Sequence, residues 1–479
     1  MQRHADPKQR EQLMAIGSAL PEGGLRLAWR IPLPLNPTSP LACRRFGRCR
    51  ANGNRSAPAA SPRKAWCGKL LFGILCLTTL SALPAASAAL PPPEPQFVDT
   101  MGVGLAVSDA TPPVLNPLAA AGFHWVRIRV PWSDVERQRG VYNVAPYTAA
   151  VGELNKVRLR TILVLGGTNP LYASGEVPAS DQDRAAFAAY CGAVARAVGG
   201  KGRWWEIWDK PNIGAWAAGP ATATYVALLR SAADAIRTVD KDAVISSGGT
   251  SGVDIDFLRE ACARGMADVV DTVAVEPART GPPESVFDDL ARANSLVKTF
   301  AGRKSVPVWV SEWGYSLAWS GVDEHKQAYY LARVFLGCFA AGVPVTVWPS
   351  FRDQEGADAK AEFGLVSGQA LAPRQAYRTA TALSRTLDGA KLFRRMEMPR
   401  GLYGLVLAKA RARLMALWSG NGTATLRIAV GSRGVKAQDL LGEEKELASS
   451  PMAEMVVSES PQIIIGGVRL VDIEPNAGS

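Results

Sequence analysis

The chain has 479 residues, 47% hydrophobic and 20% charged, with 45 Gly and 33 Pro, an ordinary globular composition that excludes collagenous, low-complexity and multi-spanning membrane chains. The formal charge is +11, but Met1 to Ala88 hold 13 Lys and Arg against 3 Asp and Glu, leaving 41 against 40 for everything after. The body is therefore close to neutral, and no nucleic-acid partner is expected, because tracking phosphates needs the positive excess on the folded domain.

Residues 1–62 are rich in Arg, Pro, Ser and Asn without periodicity and read as a disordered basic leader. Residues 63–88 read as a signal peptide: Arg63, Lys64 and Lys69 precede an apolar run from Leu70 to about Leu83, followed by small residues such as Ala85, Ala86 and Ala88. That run is short for a spanning helix, so no stable membrane insertion is expected apart from an uncleaved signal anchor. The chain is expected to be secreted or periplasmic, with Pro91 to Pro95 as a stiff spacer behind the signal.

Over residues 91–388, short runs of Val, Ile and Leu alternate with stretches of helical period, the pattern of repeated βα units. Strands are predicted at Met101 to Val107, Trp125 to Val130, Arg160 to Leu165, Arg203 to Trp208, Ala243 to Ser247, Val269 to Val275, Val306 to Ser311 and Val343 to Trp348. Helices are predicted between them, as at Arg184 to Val198, Ala221 to Val239, Ser285 to Phe300 and Lys326 to Ala341. This arrangement calls for a (β/α)8 TIM barrel in an α/β fold. Over residues 389–479 the pattern changes to short alternating runs, Gly404 to Ala408, Arg413 to Trp418, Thr423 to Val430 and Gln462 to Ile465, which read as a small antiparallel β domain.

Cys191, Cys262 and Cys338 lie in Ala-rich apolar segments with neither disulfide nor metal spacing and read as buried helix residues. With His only at 4, 124 and 325, histidine-based catalysis is not expected. The body also lacks a G-x-S-x-G elbow and a phosphate-binding G-x-x-x-x-G-K-[ST] loop.

In such a barrel the reactive groups stand at the C-terminal ends of the strands. Strand four runs into WWEIWDKPN (Trp204 to Asn212) and strand seven into VPVWVSEWGYS (Val306 to Ser316). With the strand-two passage GFHWVRIRVPWSDVERQRGVYN and the strand-eight passage VWPSFRDQEGADAKAEFGLV, these segments resemble the clan A retaining glycoside hydrolases. The resemblance is specifically to family 39, with its xylosidases, iduronidases and bacterial exopolysaccharide endoglycosidases, and covers roughly Gly102 to Leu387.

The resemblance implies two carboxylic acids about 5 to 5.5 Å apart, one attacking the sugar and one protonating the leaving oxygen. Glu312 matches the nucleophile, and Arg127 the arginine that keeps it ionised, with Arg129 on the same strand face. The second acid is missing, since where the family has Asn-Glu this chain has Asp209 and Lys210. A lysine of ordinary pKa, near 10.4, is a poor proton donor at neutral pH. On strand six the family's His-Pro-Tyr is replaced by Glu276, Pro277 and Ala278. Lys210 and Glu276 are therefore expected to form an ion pair filling the place of the missing acid and its histidine. The alternatives are Glu276 as a relocated acid/base and Asp209 as a substitute donor. Asp209 otherwise points where the family's sugar-binding Asn points, and Glu206, one pleat deeper, is expected to be structural.

Trp132, Trp208, Trp216, Trp313, Tyr315 and Trp348 at strand ends offer flat faces for stacking a polysaccharide or oligosaccharide. Asn169 to Tyr172 resembles the family's loop after strand three, and Lys326, Arg352, Asp353 and Glu355 could reach a substrate. The resemblance implies no cofactor, and no metal-ligand cluster is apparent. Two functions follow: an exported glycoside hydrolase with an altered acid/base, acting on O-glycosidic bonds of a polysaccharide, or a catalytically inactive polysaccharide-binding barrel. Lys210 favours the second, and Glu312, Arg127 and Trp348 in matching contexts favour the first.

Overall fold

The computed structural model describes residues 95–172, 176–200, 203–217, 221–353, 361–430, 435–447, 452–466 and 468–475. The expected leader, the signal peptide and Glu355 lie outside these residues.

Eight barrel strands are present among the described residues: β1 (Met101–Gly104), β2 (Trp125–Pro131), β3 (Arg160–Gly166), β4 (Trp204–Ile207), β5 (Val244–Ser247), β6 (Val273–Glu276), β7 (Val308–Val310) and β8 (Thr346–Trp348). All pair in parallel, in the order β5-β4-β3-β2-β1-β8-β7-β6. The ring closes through a bridge between Ser246 and Thr272, where Ser247 N donates to Thr272 O (3.1 Å) and Thr272 N donates to Ile245 O (3.2 Å). Helices follow the strands in turn: α1 (Pro112–Ala120), α2 (Ala145–Lys156), α3 (Asp181–Val198), α4 (Ala221–Val239), α5 (Ile255–Ala263), α6 (Phe287–Ala301), α7 (Glu324–Ala340) and α8 (Gln375–Leu387). Three starts carry side-chain caps, in which Ser180, Asp254 and Asp323 accept the backbone N–H of Asp183, Phe257 and Lys326. Cys191, Cys262 and Cys338 are buried and free on α3, α5 and α7.

Strand alternation explains how this barrel comes to hold charge. In β2, Val126, Ile128 and Val130 face the helices and join the main apolar core, whereas Trp125, Arg127 and Arg129 face the barrel axis. Near the base of the axis Trp125 meets Trp204 of β4 and Trp309 of β7, with ring centroids 4.6 and 5.6 Å apart. Together with Ile162, Val345 and Val347 these rings form a separate apolar plug. One pleat higher, the axis is lined by Arg127, Glu206 and Glu276, all buried. A charged layer over an apolar plug is stable only if its members satisfy each other.

Beyond α8 come nine antiparallel strands among the described residues: β9 (Lys391–Arg395), β10 (Leu402–Lys409), β11 (Ala412–Ser419), β12 (Ala424–Val430), β13 (Lys436–Gln438), β14 (Glu444–Glu446), β15 (Met452–Val457), β16 (Gln462–Ile465) and β17 (Val468–Pro475). They form a six-stranded sheet, β9-β10-β11-β16-β13-β14, and a three-stranded sheet, β15-β12-β17. Leu417, Leu426, Ile428, Met455 and Ile464 fill the core between them. Sequence patterning found four of these strands. Among the five it passed over are β14, whose Glu-Lys-Glu is exposed throughout, and β9, which is mostly exposed; neither carries an apolar alternation. The sheet is tied to the barrel by Arg333 of α7, which pairs with Glu284 (2.5 Å) and donates to Gly420 O (3.0 Å). Trp418 Nε1 donates to the same Glu284 (2.7 Å).

Candidate active site

The charged layer continues to the rim at the C-terminal ends of the strands. Arg127 is its hub. The guanidinium binds Glu206 through two bonds, Nε to Oε2 (3.0 Å) and Nη2 to Oε1 (2.9 Å). Nη2 also donates to Glu276 Oε1 (3.0 Å), and Nη1 donates to Glu312 Oε2 (2.9 Å). Arg129, one pleat nearer the solvent, donates from Nη2 to the same Glu312 oxygen (2.8 Å) and lies 3.2 Å from Asp209 Oδ2. The opposing carboxylates outweigh the burial that works against Arg127, so this cation stays charged.

After β4 the chain turns sharply. Trp208 and Lys210 both adopt left-handed backbone conformations, with φ of 75° and 51°, which non-glycine residues avoid and which cost about 1–2 kcal/mol each. The turn is held by Trp208 N donating to Leu165 O (2.7 Å) and Lys210 N donating to Gly249 O (2.9 Å). It brings Lys210 Nζ to 2.9 Å from Glu276 Oε2 and 3.8 Å from Asp209 Oδ1. The ion pair expected from the two departures on strands four and six is therefore present. Gly249 makes room for it: a Cβ there would lie 2.7 Å from Glu276 Cγ and 2.4 Å from Ser311 Oγ.

Glu276, Asp209 and Lys210 sit in different electrostatic settings. Burial, helped by Glu312 and Asp209, pushes the Glu276 carboxyl up to about 8, while Arg127 and Lys210 pull it down. Its side chain is only 3% exposed, and both oxygens face cations. Asp209 is held below the usual carboxylate range: burial opposes its charge, but Arg127, Arg129 and Lys210 outweigh it. Burial likewise opposes the Lys210 ammonium, yet Glu276, Asp209 and Glu312 hold it above the usual lysine range. Glu312 is 22% exposed and, with Arg127 and Arg129, lines a cavity of about 380 Å³ completed by Leu105, Ser350 and Phe363.

Oxygens of Glu206, Asp209 and Glu276 lie within 4.8 Å of one another, close enough to hold a metal ion. Arg127 Nη2 already stands among them, at 2.9, 3.5 and 3.0 Å. The guanidinium supplies the positive charge a metal would bring.

The structure thus brings Glu312, Lys210, Glu276, Arg127 and Asp209 to one rim and makes Glu206 the anchor of Arg127. The aromatic expectation needs correction. Trp132, Trp208, Tyr315 and Trp348 are all buried and so do not offer open faces to a sugar. Trp132 stacks on Tyr172 (4.8 Å) and donates from Nε1 to Glu136 (2.7 Å). Trp208 packs edge-on against the equally buried Trp216 (5.1 Å), Tyr315 donates from its hydroxyl to Gly281 O (2.8 Å), and Trp348 Nε1 donates to Phe363 O (2.7 Å). Trp313 is likewise buried. These rings are bulky enough to fill the space between strand ends and helices, and that packing takes them. Arg352 and Asp353 are engaged in ion pairs with Asp109 and Arg374. Sequence reading missed the cavity wall from Leu105, Ser350 and Phe363, loop residues with no chemical signature of their own.

No protein-family model and no curated protein sequence matches the chain. Solved structures do match its fold. A family 39 glycoside hydrolase from Bacteroides cellulosilyticus WH2 superposes with a TM-score of 0.67 at 20% identity, over 78% of this chain and 83% of that one. A family 39 β-xylosidase from Caulobacter crescentus gives 0.57 at 14% identity, over 78% and 97%. A family 30 subfamily 8 xylanase from Clostridium acetobutylicum gives 0.54 at 12%, over 78% and 97%. The class so defined is a (β/α)8 barrel with an appended β domain, in the fold of the family 39 and family 30 glycoside hydrolases. Within that class the chain carries Glu312 at its rim, with Lys210 and Glu276 paired beside it.

Proposed function

We propose that the chain is an exported, secreted or periplasmic, retaining-type glycoside hydrolase-like protein acting on O-glycosidic bonds of a polysaccharide or oligosaccharide. Glu312 is its nucleophile, and no carboxyl at its rim donates a proton. The observation that carries this reading is the Glu312 carboxylate, partly exposed at the cavity and fixed by two guanidinium groups at 2.9 and 2.8 Å. Such charge-assisted bonds aim the oxygen that must attack an anomeric carbon.

The leaving oxygen receives no comparable help. Lys210 is held protonated and Asp209 ionised by the charges around them, and Glu276, only 3% exposed, has both oxygens taken by Arg127 and Lys210. Lack of a proton donor lowers rates on poor leaving groups by about 10²- to 10⁴-fold. Glycosides whose leaving group departs unprotonated are the ones this site handles best.

The test uses the full-length chain, Glu312→Gln and Lys210→Glu on a panel of dinitrophenyl glycosides, whose leaving group needs no proton, and on the matching unactivated glycosides. We expect turnover of the activated substrates, a loss of about 10³-fold or more in Glu312→Gln, and a gain on unactivated substrates in Lys210→Glu. A second reading, a polysaccharide-binding barrel without turnover, is favoured by Lys210, which stands where the resemblance expects the acid/base and is paired with Glu276 at 2.9 Å. Oligosaccharide binding without turnover or a covalent glycosyl-enzyme in any form would establish it.

A further inference from the structure

Two side chains at this rim are cations open to solvent: Lys210, 35% exposed, and Arg129, 50% exposed. They flank Asp209 from opposite sides, Lys210 at 3.8 Å from Oδ1 and Arg129 at 3.2 Å from Oδ2, and Arg129 also holds the nucleophile. An ammonium has three N–H donors. Glu276 takes one at 2.9 Å, and Asp209 lies beyond hydrogen-bond distance, so the partly exposed Lys210 has donors to spare. A leaving group here meets two partly exposed cations and, among the described residues, no exposed carboxyl free of a cation.

Resting on the reading of Glu312 as nucleophile, we propose that the group exchanged at the anomeric carbon is an oxyanion, a phosphate or a carboxylate, received on the donors of Lys210 and Arg129 that Asp209, Glu276 and Glu312 leave free. The chemistry balances without an acid or a base. Starting from the monoanion of a glycosyl phosphate, a Glu312 oxygen forms a bond to the anomeric carbon while the carbon–oxygen bond to phosphate breaks. The electron pair leaves on hydrogen phosphate, which keeps its own proton. In reverse, hydrogen phosphate attacks the glycosyl-enzyme through an anionic oxygen and Glu312 departs as carboxylate. An acyl glycoside follows the same course, with a carboxylate leaving. Water, by contrast, must lose a proton as it attacks, and among the described residues no open carboxylate stands beside Glu312 without a cation to hold it.

The experiment follows a dinitrophenyl glycoside in rapid-mixing kinetics with the full-length chain, adding inorganic phosphate or acetate in separate arms. We expect a burst of dinitrophenolate followed by a slow steady state, which a saturating anion accelerates about tenfold or more by replacing water, whose attack lacks a base. The product is the glycosyl phosphate or glycosyl acetate with retained anomeric configuration. Acceleration by phosphate alone or by acetate alone identifies the oxyanion, and either supports the proposal. Lys210→Met is expected to raise the anion concentration for half-maximal effect about tenfold, and Lys210→Arg about threefold or less. A burst with no anion effect, or with the same anion dependence in Lys210→Met, overturns this inference and leaves the glycosidase reading standing. Absence of both burst and glycosyl-enzyme removes the two together.

Discussion

Glu276 is the residue on which the pH behaviour of the site turns. It ends a buried strand, accepts bonds from Arg127 and Lys210, and is pushed by burial to about 8. Its folded pKa exceeds its unfolded value, so its contribution to stability is complete below the unfolded carboxylate range, near 4.3, and is lost as pH rises toward about 8. Asp209 works in the opposite sense, stabilising above its unfolded value and losing that contribution as pH falls. We expect the fall in melting temperature between about pH 5 and 8 to be shallower in Glu276→Gln than in the unaltered chain. An unchanged slope would show that another group sets it. The pairing of Lys210 with Glu276 was legible in the sequence because two departures from one motif set complement each other in charge. The part played by Arg129 was only half legible, since a strand face shows which residues point inward but not how far a side chain reaches.

At the scale of elements, the site depends on tight backbone between strands and helices. The left-handed turn at Trp208 and Lys210 packs against the segment following β5, where Gly249 leaves room for Glu276 and donates its N–H to Glu206 (3.1 Å). Gly249→Ala would force overlap with Glu276 and Ser311, and we expect a loss of about 1–3 kcal/mol in chemical denaturation, with weaker binding of anions at the rim. Gly152 offers the opposite case. It lies exposed within α2 with nothing near its missing Cβ, so Gly152→Ala should add about 0.5–1 kcal/mol, read by the same measurement. The barrel strands were legible because their apolar runs are strong. β9 and β14 were not, because edge strands with exposed charge are held by neighbours rather than by their own pattern.

For the whole molecule, the join between barrel and β domain centres on a buried pair. Arg333 is fully enclosed, binds Glu284 through Nε (2.7 Å) and Nη2 (2.5 Å), and reaches Gly420 across the join. Removing one member leaves the other buried without a counter-charge. Arg333→Met is therefore expected to cost about 3–5 kcal/mol in urea unfolding. Glu284→Gln keeps one acceptor oxygen but leaves the Arg333 cation buried without its close counter-charge, and should cost a similar amount. A small loss in Glu284→Gln would argue that shape, not charge, holds this join.

By itself the sequence determined the barrel, through the βα rhythm of its apolar runs. It also determined the chemical cast of the site, through acids, arginines and a lysine placed at strand ends. These are local properties, carried by period and residue type. Only the tertiary structure decided which strand-end aromatics face solvent, and it buried Trp132, Trp208, Tyr315 and Trp348, because burial depends on what the helices and loops bring over a ring. It likewise decided that one guanidinium serves Glu206, Glu276 and Glu312. These four residues lie on three strands and just past the end of a fourth, far apart in the chain, and only closure of the barrel brings them within hydrogen-bond reach.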